Sequence, residues 1–233
     1  MTLIVALKTD YEVYLGSDSL AYSCNIGNRK FLVVNKYEKI NEHVEILLSG
    51  ILDHGRRFIE EMRRNLRGTN LESYDAFEVA KELEKVARPH YEEIVNIPSI
   101  KEALIKNKDI LKSEWPLDII VGGMNKDEDG DFTKPAIYEL EVQHAFLFSV
   151  PSEKLVLGGA PDVIAVADPI FRCRLEKKDS QLSSPSKYKA AIRSCFEDVI
   201  EKKKEKLKPG YIVTISEPIH IARITKSGYE SLM

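Results

Sequence analysis

The sequence predicts an α+β fold in which antiparallel sheets stack on one another and helices cover the outside. Short runs rich in β-branched residues occupy the first 50 positions, the middle of the chain and its end. Segments with apolar residues at helical spacing lie between those runs. No internal repeat or low-complexity linker divides the 233 residues, so we expect one domain over residues 1–233.

The first 50 residues predict two antiparallel strand pairs. Residues 2–8 (TLIVALK) are almost continuously apolar, which is typical of a strand covered on both faces. TDY interrupts the run, and EVYLGS at 12–17 then predicts a hairpin. Two further strands are predicted at 31–36 and 43–49, separated by a charged, turn-prone segment.

Helices are predicted next, because apolar residues recur three, four or seven positions apart between charged ones. The first predicted helix carries Leu52, Phe58, Ile59, Met62 and Leu66 and ends at Gly68. A second helix is predicted to begin near residue 74, and Pro89 either kinks or stops it. A short helix and a connection are predicted over 96–115.

Strands return in the second half of the chain. They are predicted at 116–123, 136–142, 145–150 and 154–159. A helix after residue 184 is then stopped by Pro209 and Gly210, and the runs YIVTIS and HIARIT predict closing strands.

Composition and charge exclude several classes of protein. No stretch approaches the roughly 18 to 20 uncharged apolar residues that span a bilayer, and no secretion signal precedes the first strand, so we expect a cytoplasmic protein with no membrane partner. The net charge of -3 provides no basic field for nucleic acid. Neither the three cysteines, Cys24, Cys173 and Cys195, nor the five histidines show metal-ligand spacing, so reduced thiols, no metal and no cofactor are expected.

The segment NKDEDGDF at 125–132 imitates the start of a calcium-binding loop. Asn125, Asp127 and Asp129 could supply oxygen ligands before Gly130, but the twelfth position is Ala136 and not the bidentate glutamate. An acidic hairpin turn is therefore the favoured prediction.

A candidate nucleophile stands at the start of the chain, where Thr2 follows Met1 at the head of the first predicted strand. If Met1 is removed, Thr2 has a hydroxyl that can attack and an α-amine, with a reference pKa of about 7.7 to 8.0, that can take the proton. Such a site needs a cation that keeps the amine neutral, an acid that holds the cation, and a backbone N–H for the oxyanion.

The order and spacing of such groups resemble proteasome β-subunits and the related bacterial protease rings, which are N-terminal-nucleophile hydrolases. Asp18, in GSDSLA, lies sixteen residues after Thr2, similar to the family's small-Asp-x-x-Ala motif. Lys36 and Gly50, in KYEKINEHVEILLSG, keep the family's interval of fourteen residues, and a predicted helix follows Gly50. The match is close over the first 70 residues and architectural beyond them.

The resemblance implies a four-layer αββα fold, with two antiparallel sheets between helical layers. It implies a threonine peptidase or amidohydrolase in which Thr2 attacks, Lys36 tunes the Thr2 amine, Asp18 orients Lys36 and the Gly50 N–H holds the oxyanion. A peptide or protein is the implied substrate, a ring-like homo-oligomer is the implied assembly, and an ATPase or cap is an allowed partner.

The resemblance also implies a substrate site. Ala21 lies on the strand expected to pair with an extended peptide, while Leu48 and Leu52 line the first specificity pocket or belong to the core. His54 is the histidine expected near that cleft.

Three departures from the family pattern leave alternatives open. Two extra residues lie between Asp18 and the lysine, so Lys39 or Lys30 could be the cation in place of Lys36. Gly159 stands where the family has a supporting serine, and the later Asp-x-x-Ser-Gly element has no counterpart near KEKLKPGY. A non-catalytic structural subunit, or a transpeptidase or ligase using the same threonine, therefore remains an alternative.

Overall fold

The computed structural model describes residues 3–25, 28–50, 52–95, 117–143, 146–152, 154–159, 161–176, 182, 184–205, 215 and 217–232. In chain order the strands of this part are β1 (Leu3–Lys8), β2 (Val13–Asp18), β3 (Leu20–Asn25), β4 (Asn28–Val33), β5 (Tyr37–Asn41), β6 (Val44–Gly50), β7 (Leu117–Lys126), β8 (Phe132–Gln143), β9 (Phe146–Pro151), β10 (Leu155–Gly159), β11 (Ile219–Thr225) and β12 (Gly228–Ser231). Its helices are α1 (Leu52–Asn65), α2 (Ala76–Val95), α3 (Pro161–Phe171), which continues into a π-helical turn at Arg172–Glu176, and α4 (Pro185–Glu205).

The strands form two five-stranded antiparallel sheets and a separate hairpin. Sheet I has the order β10-β1-β2-β11-β12, and sheet II has the order β5-β6-β7-β8-β9. The hairpin of β3 and β4 extends from the end of β2, where the Val34 N–H donates to the Ser19 carbonyl at 2.8 Å. The α+β prediction is confirmed at this level.

Buried apolar side chains divide the core into three parts. Residues of α1 and α2 pack on sheet II, residues of α3 and α4 pack on sheet I, and a third cluster lies between the two sheets. The strand β1 shows why its sequence is continuously apolar: Leu3 and Val5 belong to the helix-side cluster, whereas Ile4 and Ala6 belong to the cluster between the sheets. The resulting order of helices, sheet, sheet and helices is compatible with a sandwich.

Several predicted boundaries need correction. The charged segment after residue 36 is not a turn but the strand β5, and the predicted strand over 31–36 ends at Val33. β5 is an edge strand of sheet II, where charged side chains are favoured because they face solvent. The predicted helix in 96–115, and the strand over 211–216 apart from Ile215, lie outside the described residues.

The acidic hairpin turn was predicted correctly. It joins β7 to β8, and the Asp127 carboxylate accepts hydrogen bonds from the backbone N–H groups of Asp129 and Asp131 and from the Thr133 hydroxyl. Among the residues that the structure describes, no three metal-ligating side chains lie together. No described helix is both long enough and apolar enough to cross a membrane.

Candidate active site

A buried ion pair connects the two sheets at the start of β1. Lys36, which stands just before β5, donates from Nζ to both carboxylate oxygens of Asp18 at 3.0 and 2.9 Å. Asp18 is the last residue of β2 in sheet I. Both side chains are fully buried, at 0% exposure. The two residues that the resemblance implies as acid and cation are therefore in direct contact.

The same carboxylate also holds the beginning of the chain. The N–H of Leu3 donates to Asp18 Oδ1 at 2.8 Å. Thr2 lies outside the described residues, but it is bonded covalently to Leu3. The Asp18 carboxylate thus contacts both the candidate cation and the residue that follows the candidate nucleophile.

The electrostatic state of this pair follows from its burial. Loss of solvation lowers the pKa of Lys36 below its ordinary value, and the charge and hydrogen bonds of Asp18 oppose that shift by favouring the ammonium form. An apolar pair of similar volume is often as stable as a buried ion pair, because desolvation offsets the attraction between the charges. The burial of this Lys–Asp pair is therefore not explained by a gain in stability. A buried, charged pair of this kind marks a candidate functional site.

The alternative lysines are located as follows. Lys39 forms an ion pair with Glu42 and places its ammonium 4.7 Å from the centre of the Tyr229 ring. The side chain of Lys30 lies outside what the structure describes. Among the lysines with described side chains, Lys36 is the one that contacts Asp18.

Gly50 occupies the strand-to-helix turn that its predicted role requires. It ends β6 with φ of 93°, a conformation that favours glycine, and α1 begins at Leu52. The strand β6 is connected to the lysine by a hydrogen bond of 2.8 Å from the Leu48 N–H to the Lys36 carbonyl. A backbone N–H at such a turn is the kind of donor that can stabilise an oxyanion.

Gly159 ends β10 beside the start of β1. It is the register partner of Leu3, and its N–H donates to Asp118 Oδ2 at 2.8 Å. Asp118 belongs to β7 in the opposite sheet. Where the resemblance leads one to expect a serine hydroxyl, the chain therefore has a backbone N–H bound to a carboxylate, an interaction that sequence analysis missed.

A second polar connection between the sheets was also missed. Glu45 on β6 contacts His220 Nε2 on β11 at 3.1 and 3.3 Å, and these side chains are 0% and 2% exposed. The Tyr37 ring stacks on the His220 ring with centroids 3.5 Å apart. Burial and the Glu45 carboxylate raise the pKa of Tyr229, which lies beside the same glutamate.

Two of the missed residues share one sequence signal. Glu45 and Asp118 are each the single acidic residue within a largely apolar run, in HVEILLS and PLDIIVGG, whereas His220 shares its strand with Arg223. Charged residues are rarely buried unless they are paired, so such positions can be recognised in advance, although their partners cannot.

Two of the predicted substrate residues are part of the core or pack against it, and the side chains of the others are not described. Leu48 is 1% exposed in the cluster between sheet II and its helices, and Leu52 packs against that cluster. Ala21 lies on β3 opposite Leu32, but its side chain and that of His54 are outside what is described. Their substrate-binding roles stay predictions.

The described surface contains a cavity of about 560 Å³ far from this ion pair. This cavity lies at the other end of β1 and β2. Lys8, Glu12 and the first turn of α4 line it. A large pocket is ordinarily the first hypothesis for a binding site. The buried ion pair is nevertheless the stronger candidate here, because it is where charged groups converge on the head of β1.

Comparison with known proteins provides no family assignment. No protein-family model matches the chain, and no curated protein is significantly similar to it in sequence. Functional inference therefore depends on the geometry of the site and on the sequence resemblance described above.

Proposed function

We propose that the protein is a threonine-type N-terminal-nucleophile hydrolase that cleaves peptide or related amide bonds, with Thr2 exposed by removal of Met1. One observation carries the proposal: the fully buried Asp18–Lys36 pair is anchored to the N–H of Leu3, the residue after Thr2. The sandwich-like order of layers supports an αββα N-terminal-nucleophile fold.

The proposed reaction proceeds through an ester. The Thr2 hydroxyl oxygen bonds to the substrate carbonyl carbon while the Thr2 α-amine takes the hydroxyl proton. The carbon–nitrogen bond then breaks, and the departing amine receives that proton. Water, activated by the same α-amine, hydrolyses the ester and releases the acid product.

Each neighbouring group has a defined part in this reaction. The positive charge of Lys36 lowers the pKa of a nearby amine and so favours the neutral base. Asp18 keeps Lys36 charged and in place, and the Gly50 N–H donates a hydrogen bond to the negatively charged carbonyl oxygen. A ring-like homo-oligomer belongs to the proposal, and a monomer in light scattering would count against that part.

Mass spectrometry and covalent labelling test the proposal. We expect the intact mass of protein purified from its native source to lack one methionine, and a β-lactone probe to acylate the protein once. Thr2→Ala should abolish the adduct, and Lys36→Met should slow labelling on the order of 100-fold or more, within the range of lost acid–base catalysis. Lys39→Met is the matched control, because that lysine contacts Glu42 and not Asp18.

Two results would overturn the proposal. One is retention of Met1 in the native protein, which would leave Thr2 without a free amine. The other is equal labelling of wild type and Thr2→Ala, which would assign the adduct to another nucleophile.

A non-catalytic subunit is the second candidate, favoured by Gly159, which provides no side chain where a supporting hydroxyl is expected. It predicts normal assembly of both wild type and Thr2→Ala in light scattering. It also predicts no acylation of either protein.

A further inference from the structure

Asp118 connects the two sheets at the same end of the molecule as the ion pair. It lies on β7, where its register partner is Ser49, one residue before Gly50. Its Oδ2 accepts the N–H of Gly159 on β10 at 2.8 Å. Because β10 belongs to sheet I and β7 to sheet II, this hydrogen bond joins the edge strand beside β1 to the facing sheet.

The close approach of β10 to β7 depends on a glycine. A Cβ atom on Gly158 would lie 2.8 Å from Ile4 Cγ1 and 3.2 Å from Asp118 Cβ. The first distance is shorter than carbon atoms tolerate, so a side chain at this position would force Ile4 or the β10 backbone to shift. The backbone at Gly158 and Gly159 therefore leaves room for Asp118 to reach it.

The two N–H groups at the head of the β1–β10 pair both donate to carboxylates. Leu3 and Gly159 are register partners. The Leu3 N–H binds Asp18 and the Gly159 N–H binds Asp118, each at 2.8 Å. Hydrogen bonds to an ionised acceptor are roughly twice as strong as neutral ones, so this pair of strand ends is held firmly on both sides.

We propose that Asp118 is a positioning residue for the Thr2 nucleophile, acting through the backbone of Gly159. This inference rests on the proposed function. Asp18 sets the position of Leu3 from one side, and Asp118 sets the adjacent strand end from the other. Thr2 is bonded directly to Leu3, so both carboxylates act on the pair of strand ends to which the nucleophile is attached. Misplacing a reacting group by about 1 Å can cost on the order of 100-fold in rate.

The variants separate the hydrogen bond from the charge. Asp118→Asn retains an oxygen that can accept the Gly159 N–H but removes the negative charge. Asp118→Ala removes both, and Asp118→Glu keeps the charge while displacing the oxygens by one methylene group. If positioning is the role, the ability of each side chain to accept the bond decides the outcome.

The experiment measures the rate of β-lactone labelling of the full-length protein as the probe concentration is raised to saturation. For Asp118→Ala we expect the maximal labelling rate to fall about 10- to 100-fold, while the probe concentration at half-maximal rate changes less than about threefold. The maximal labelling rate of Asp118→Asn should lie within about threefold of the wild-type rate. Asp127→Ala is the control, since that carboxylate serves the distant β7–β8 turn, and it should label at the wild-type rate.

Amide hydrogen exchange of the β10 peptide provides a readout independent of activity. Exchange should be faster than wild type in Asp118→Ala and close to wild type in Asp118→Asn. If Asp118→Ala does not fold, Asp118→Glu replaces it, with slower labelling and faster exchange as the expected result.

The contradicting outcomes are distinct. Faster β10 exchange with an unchanged labelling rate would overturn the positioning role, and so would failure of Asp118→Asn to recover the rate. Failure of the wild type itself to label would overturn the proposed function, and the positioning role with it, before any variant is compared.

Discussion

Asp18 and Lys36 form a fully buried ion pair in which both carboxylate oxygens accept hydrogen bonds from one ammonium group, at 3.0 and 2.9 Å. Removing one partner leaves the other charge buried without compensation. We therefore expect Asp18→Asn and Lys36→Met each to lower the free energy of unfolding by about 3 to 5 kcal/mol in urea titrations.

The double variant distinguishes this coupling from two separate effects. Asp18→Asn combined with Lys36→Met should destabilise the protein by less than the sum of the single changes, because no unpaired charge remains. Lys39→Met, at a partly exposed pair, should change stability by less than about 1 kcal/mol. Additive single effects would show that the two side chains are not coupled.

Glu84 provides a prediction about acid stability. Burial disfavours its charged form, but hydrogen bonds from Ser149, Lys81 and Arg88 outweigh that cost and lower its pKa to about 2. A carboxyl group whose pKa is lowered on folding stabilises the protein above its unfolded-state pKa, and this contribution disappears as pH falls through the folded-state pKa. The loss should therefore occur between about pH 5 and pH 2.

Unfolding of Glu84→Gln at several pH values measures that contribution. At pH 7 we expect a loss of about 2 to 3 kcal/mol, the lower figure allowing for solvent screening of the partly exposed Lys81 and Arg88. The difference from wild type should shrink toward pH 2. Glu82→Gln on the same helix is the control, and a pH-independent difference at Glu84 would contradict the assignment.

Local sequence patterns were sufficient for most of the elements that position the site. The apolar run of residues 3–7 and the glycine at 50 specify a strand and a strand-to-helix turn through properties of the residues themselves. The contact of Asp18 with Lys36 was anticipated from the resemblance of their motifs to those of proteasome β-subunits, with Lys39 and Lys30 as alternatives. These predictions succeeded because the residues lie within one continuous stretch whose strands follow one another along the chain.

Contacts between segments that are distant along the chain could not be predicted from the sequence. Glu45 meets His220 across 175 positions, and Asp118 meets Gly159 across 41. Such contacts depend on how the two sheets align, which is set by packing of the whole layer between them and not by local periodicity. β5 was mistaken for a turn for a related reason, since its charged residues are acceptable only because the strand lies at a sheet edge.

The two described cysteines should differ in reactivity. Cys195 is fully buried in α4, and burial raises the pKa of its thiol to about 12, whereas Cys173 is exposed. Since the thiolate is the reactive form, iodoacetamide at pH 8 should alkylate Cys173 in the folded protein and spare Cys195 until urea unfolds the chain. Peptide mapping by mass spectrometry measures both sites, and equal rates in the folded protein would contradict the burial of Cys195.

Gly50 can be tested against a glycine that has the same φ angle. Gly50 and Gly68 both have φ of 93°, and Gly68 follows α1 with no atom within 4 Å of an added Cβ. Alanine at either position should cost about 1 to 2 kcal/mol of stability, because L-residues disfavour this region. Only Gly50→Ala should also lower the maximal rate of β-lactone labelling, on the order of 100-fold. Alanine keeps the N–H, but a change of the disfavoured φ would displace that donor from the oxyanion, and a displacement of about 1 Å costs about that much. Equal labelling rates in the two variants, at matched stability in urea, would contradict a dependence of the labelling reaction on the backbone conformation at Gly50.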